Sequence, residues 1–206
     1  MTLEVYLAFC LASLLLALAP GPDNLFVLAQ SAVYGVKAGL LVVAGLCLGL
    51  VVQTLCAALG LAAVVAAVPA LFWAIKLAGA CYLLYLAFMA FCHAKDEAAA
   101  QTASKKSGLA LISRGFIMNI TNPKVQIFFL AFFPQFASPE TKGLALVLQM
   151  LLQGLTFMAA TLLVFSAVAA AAGYLAEKLS KGRFAMWMNY GSALLFVILA
   201  GVTLAA

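Results

Sequence analysis

The chain has 206 residues, 67% of them hydrophobic and 8% charged, against about 25% charge in a soluble domain. A water-soluble fold of this length has no core large enough to hide that much apolar surface. The composition therefore excludes an ordinary soluble enzyme or binding domain and points to the bilayer as solvent. The formal net charge of +5 is not a nucleic-acid signal, because the basic residues sit in short connections, as in loops held on the cytoplasmic side of a membrane.

A spanning helix takes about 20 apolar residues, so the length accommodates six and little else. The first span begins near Leu3 and runs, interrupted, to about Val33. Its apolar run ends in Ala17-Leu18-Ala19, which resembles a signal cleavage site. No positive side chain precedes it, however, and Pro20 would follow the cut, so it reads as a span. The second covers about Ala38 to Val65, the third about Pro69 to Cys92. A polar linker, about 93–108, divides the chain. The fourth span runs, also interrupted, from about Leu109 to Phe136, the fifth from about Leu144 to Tyr174, and the sixth from about Phe184 to Leu204.

As one straight helix the first span would be about 46 Å long, against a hydrocarbon core of about 30 Å. It carries Pro20-Gly21-Pro22, and the fourth carries Asn122-Pro123. Proline removes a helix hydrogen bond and clashes with the preceding turn, so helices one and four are expected to be broken. The breaks fall at corresponding places in two halves of three spans each. The expected architecture is an all-α integral membrane protein forming a single transporter domain over 1–206. Its two inverted three-helix repeats would cover about 1–92 and about 109–206. Interrupted spans in matching positions are the best sequence pointer to a transporter's binding site.

The residues at the breaks are the candidates for chemistry. Asn122 suits an N-cap and Pro123 the first helical position, so a half-helix should restart there and another around Pro22-Asp23-Asn24. Each restart leaves N–H groups unpaired and a partial positive charge suited to a carboxylate. The plainer alternative is a pair of kinks that ease packing. Asp23 and Lys124 are ionisable groups inside apolar spans, which are costly and usually functional. Asp23 is suited to a substrate ammonium or a proton. Lys124 is suited to Asp23 or to a substrate carboxylate. Either could instead cap a helix or snorkel towards an interface. Burial favours a neutral Asp23, whereas helix N–H groups and a lysine favour its charged form; that balance would let a proton gradient act on it.

Asp23, Val27 and Gln30 share a helical face, as do Asn119, Asn122 and Gln126. Gln53 follows Gly45 and Gly49 at i, i+4 spacing, and Gln149 and Gln153 are paired likewise. These polar faces either line a path or bond helices together. The expected substrate and proton site is thus Asp23, Asn24, Gln30, Gln53, Asn119, Asn122, Lys124 and Gln126. Gly35-x3-Gly39 and Gly45-x3-Gly49 allow close backbone approach, more as packing inside one subunit than as the seam of a homodimer. The five cysteines read as small buried hydrophobes. No triad, phosphate-cradling loop or metal-ligand spacing is present, so no cofactor, metal or enzymatic activity is expected.

These stretches resemble the lysine-exporter (LysE/RhtB-type) family of amino-acid efflux proteins. The resemblance rests on Pro20-Gly21-Pro22-Asp23-Asn24-Leu25, on Gly35, Gly39, Gly45 and Gly49, and on Gly60-Leu61. It continues through Lys76-Leu77-Ala78-Gly79-Ala80-Cys81-Tyr82-Leu83, Gly115-Phe116, Asn122-Pro123-Lys124, Phe128-Phe129 and Pro134-Gln135-Phe136. It implies efflux of an amino acid or close derivative across a bacterial cytoplasmic membrane, driven by the proton gradient. A transporter of another small solute or ion, or a membrane subunit that does not transport, is the competing reading.

With six spans, Lys37, Lys95, Lys105, Lys106, Arg114, Lys178, Lys181 and Arg183 share one side and Lys142 stands on the other. The positive-inside rule then puts both termini outside the cytoplasm.

Overall fold

The computed structural model describes residues 1–61, 69–92, 107–136, 141–172 and 183–205, and all regular structure among them is helical. Helix α1 (Leu3–Leu18) is followed after a three-residue break by α2 (Pro22–Tyr34). Helix α3 (Val36–Cys56) continues into a π-helical turn, Ala57–Leu61, and α4 spans Pro69–Cys92. Helix α5 (Gly108–Thr121) is separated by Asn122 alone from α6 (Pro123–Ile127). Beyond α6 the chain winds on through a π-helical turn, Phe128–Phe132, and a 3-10 turn, Phe133–Phe136. Helices α7 (Gly143–Ala170) and α8 (Arg183–Ala205) complete the chain.

The expected breaks are present. The axis bends by 58° between α1 and α2 and by 52° between α5 and Pro123–Phe136. Among the described residues, Val36–Gly60 and Gly143–Ala170 are each long and apolar enough to cross a membrane, and counting each bent pair as one span gives up to four. The expected end of the second span at Val65 lies outside the described residues, as do His93 and most of the linker.

Much of the outer surface is apolar. Leu7, Leu11, Phe88, Phe91, Leu148 and Leu163 are all exposed, as on helices whose solvent is lipid. The same physics corrects the expectation for cysteine. Cys47 is buried and Cys10 partly so, but Cys56, Cys81 and Cys92 are exposed, because an apolar residue gains nothing by facing inward when the surroundings are hydrocarbon.

Two buried clusters hold the helices together. Around the first break, Phe26, Val27, Val42, Leu46, Leu111 and Phe165 join α2, α3, α5 and α7. Beyond the second, Phe9 of α1 packs on Phe133 and Phe136, at ring separations of 5.4 and 5.2 Å. Phe128 packs on Phe157 of α7 at 4.7 Å. Edge and offset aromatic pairs of this kind add about 0.5–1.5 kcal/mol each beyond area burial, and they anchor the irregular turns after Pro123 to α1 and α7.

The seam between α3 and α5 is the tightest. A Cβ on Gly45 would meet the carbonyl of Ile112, one on Gly115 the carbonyl of Val42, and one on Gly49 would come within 2.6 Å of Asn119 Oδ1. Gly45 and Gly115 thus pack on backbone inside one subunit. Overpacking costs about 1–3 kcal/mol where neighbours can shift, and a helix carbonyl shifts less than a side chain. Gly45→Val and Gly115→Val should each lower membrane abundance and the unfolding temperature of purified protein. Gly60→Ala, with nothing within 4 Å of its added Cβ, should change neither.

Candidate functional site at the two helix breaks

Each break begins with proline arithmetic. In a continuous helix, residue 20 would donate to the carbonyl of Leu16, residue 21 to Ala17 and residue 23 to Ala19. Pro20 cannot donate, and the turn at Gly21 carries the later N–H groups away. Side chains replace them. Asn24 Nδ2 donates to Ala17 O at 2.9 Å. Lys124 Nζ donates to Ala19 O at 3.1 Å and Leu16 O at 3.4 Å. At the second break Pro123 withdraws the i+4 donor for Asn119 O, which accepts instead from the Asn122 N–H at 3.1 Å and from Gln53 Nε2 at 2.9 Å. The N–H of Lys124 turns to its own N-cap, Asn122 Oδ1, at 3.0 Å. Ile120 O then accepts from Gln126 Nε2. Each break is therefore patched once from its own chain segment, by Asn24 or Gln126, and once from elsewhere, by Lys124 or Gln53. Unpatched, such groups in hydrocarbon cost several kcal/mol each.

The two breaks meet. Asn122, the N-cap of α6, donates through Nδ2 to Asp23 Oδ2 at 2.7 Å. Lys124 lies over Gly21, the N-cap of α2, such that a Cβ there would come within 3.2 Å of its ammonium. Asp23 and Lys124 each follow a helix-initiating proline, and each reaches the other helix's N-cap. Asp23 is favoured in the first turn of α2 by the helix dipole, and the Lys124 cation by the C-terminal carbonyls of α1.

Asp23 is 4% exposed, and its Oδ1 is buried with no hydrogen-bond partner. Gly21 gives α2 no side-chain cap. Between these groups lies a cavity of about 20 Å³ lined by Asp23, Lys124, Asn119 and Thr161, with Leu16, Leu46, Leu50, Phe157 and Phe165 as its apolar walls. It has room for one water molecule but not for an amino acid.

Of the expected site residues, Asp23, Asn119, Asn122 and Lys124 come together here. Asn24 lies at the first break as a patch, and Gln53 bridges α3 to Asn119 through its carbonyl and, at 3.1 Å, its Oδ1. Gln30 is fully buried on the Asp23 face of α2. Gln126 does not join them. It is exposed, because the bend at Asn122 ends the face it would have shared with Asn119. Gln149 donates to Phe136 O. Gln153, also fully buried, reaches Met1 Sδ at 4.0 Å. Arg114, counted among the basic residues of the cytoplasmic side, is exposed and lies over the Phe26 ring at 5.6 Å. The Tyr82 and Tyr85 rings of α4 lie 5.7 Å apart, tilted by 43°. Sequence reasoning missed Thr161, a polar residue two helical turns beyond Gln153 in the same helix. It also missed the phenylalanine walls.

The pattern of the LysE type translocators matches residues 14–206. The chain belongs to the LysE type translocator family. It is similar to a leucine efflux protein of Klebsiella pneumoniae, 32% identical over 165 residues and covering 78% of each chain. It is equally similar to that of Salmonella typhimurium, 32% identical over 167 residues with 78% of each chain covered. An uncharacterized membrane protein of Pseudomonas aeruginosa is 34% identical over 196 residues, 89% of this chain and 91% of the other. No solved structure matches. The protein is thus an all-α membrane protein of a bacterial transporter family.

The patches and the cavity predict different mutational signatures. Gln126→Leu leaves the Ile120 carbonyl without its donor, at about 1–3 kcal/mol. It should lower the thermal stability of purified protein while transport per folded molecule stays near that of the parent.

Proposed function

We propose that the protein is a secondary active exporter of amino acids or close derivatives, coupled to protons and working by alternating access across the bacterial inner membrane. The observation that carries this reading is the meeting of two helix breaks around one acid and one base. The Asp23 carboxylate, with one oxygen unpartnered, faces the same small cavity as the Lys124 ammonium. A zwitterion presents the complementary pair of charges. The family and the leucine efflux relatives support an amino-acid cargo.

The proposed frame is six spans in two inverted repeats, about 1–92 and about 109–206, within one domain, with the linker cytoplasmic and both termini outside. Its support is the correspondence of contacts. Helix α3 packs on α5, the first half of the other repeat's broken helix, and α7 packs on α1 in the same relation; α3 also packs on α7, and α4 on α8. A cavity with room for one water lets cargo enter only if the helices around the breaks separate, as rocking of one repeat against the other would bring about.

Asp23 binds the substrate ammonium and the proton in turn, Asn122 holds its other oxygen, and Asn119, Gln30 and Gln53 complete the polar surroundings. Protons suit the cavity better than a metal ion, because the Lys124 ammonium already occupies its cationic position. Among the described residues no group of three metal-ligating side chains occurs. Asp23→Asn keeps the shape and cannot titrate. Vesicles loaded with labelled L-leucine and a panel of other amino acids should show gradient-driven efflux from the parent. The variant should lose at least about tenfold of it, the scale of one charge-assisted interaction, and should no longer respond to external pH. Equal efflux and an equal pH response would remove Asp23 from the mechanism.

A further inference from the structure

Lys124 has a second attachment that exporter chemistry alone does not require. Two of its three N–H donors go to Ala19 O and Leu16 O, the carbonyls left over where α1 stops. It comes from the opposite break, 105 residues further along the chain. It forms no ion pair with Asp23, whose one hydrogen-bonded oxygen is held by Asn122 instead. The ammonium is therefore the C-terminal cap of α1 and, at the same time, a wall of the cavity. A cation at that cap favours the last turn of α1 both by hydrogen bonding and through the helix dipole.

One donor remains free, so a carboxylate that accepts through both oxygens competes with the two carbonyls for the others. A carboxylate is a stronger acceptor for it than two neutral carbonyls, since a bond with both partners charged is the stronger kind. We propose that Lys124 is the receptor for the cargo's carboxylate, and that turning to it uncaps α1 and loosens the Pro20-Gly21-Pro22 hinge. Binding of the anionic end of the cargo is thereby linked to movement at the first break. The long lysine stem makes the switch feasible without moving α6. Pro20 and Pro22 have no N–H to donate, so the hinge has few helical bonds of its own to break. This inference rests on the exporter reading and assigns the ligand chemistry of one of its groups: a carboxylate, with the ammonium left to Asp23.

Hydrogen–deuterium exchange of the α1 end, residues 16–19, tests it on the full-length protein in lipid nanodiscs. The ligands are L-leucine or any other amino acid that vesicles of the same preparation export, each compared with its methyl ester, which keeps the ammonium and lacks the carboxylate. The amino acid should speed exchange there about tenfold, the equivalent of one lost bond to a charged group, and the ester should not. Lys124→Met should exchange fast with no ligand and should not respond to one. Lys124→Arg keeps the charge, and its response should be weaker than the parent's but present. If Lys124→Met does not fold, the contrast between acid and ester in the parent decides alone. Exported cargo that leaves exchange at 16–19 unchanged or slows it overturns the switch and spares the exporter. An ester that acts like the acid does the same. No efflux of any amino acid overturns both.

Discussion

A backbone carbonyl in hydrocarbon has no water to turn to. Each helix break in this protein strands several of them, and the arrangement of polar side chains follows from that constraint. Asn24 and Lys124 answer the carbonyls of α1, and Gln53 and Gln126 those of α5. Four polar side chains at the breaks are thereby accounted for before any substrate is considered. Where the breaks meet, backbone repair leaves over one carboxylate oxygen of Asp23, one donor of Lys124, and a cavity between them. The functional proposal rests on that remainder.

The link between the breaks gives the remainder its use. Asn122 caps α6 with its oxygen and holds Asp23 with its nitrogen. Any change in what Asp23 carries is thus felt at the start of α6, and any change at Lys124 is felt at the end of α1. The glycine seam between α3 and α5 fixes the distance across which this happens, because Gly45 and Gly115 set backbone against backbone. Rigid packing on one side and irregular, side-chain-patched backbone on the other is what a moving part hinged on a fixed part requires.

The breaks were legible in the sequence because proline states its own consequences. Pro22 and Pro123 open helices where expected, and Asn122 caps as expected. The start of α4 at Pro69 was legible for the same reason. The roles of the amides were not. Gln126 lies four residues from Asn122, on what would be one face of a straight helix, and the 52° bend cancels that periodicity. Lys124 reads from sequence as a partner for Asp23 or for substrate, and only the fold reveals that the carbonyls of α1 lie within its reach. Cysteine placement failed for a different reason: in lipid, hydrophobicity no longer sorts inside from outside, so Cys56 and Cys81 carry no positional signal. The phenylalanines after Pro123 were visible as a run, but their function as the anchor of an irregular turn depends on Phe9 and Phe157, which lie far off in the chain.

The central claim is that Asp23 and Asn122 act as one unit joining the two breaks. A double-mutant cycle on gradient-driven efflux, normalised to folded protein, measures this directly. Asn122→Ala should slow efflux severely in the parent and should add little in the Asp23→Asn background, giving a coupling of about 1–3 kcal/mol, as for contacting residues in one network. Effects that simply multiply, with no coupling between the positions, would mean that the 2.7 Å contact between the breaks has no part in transport.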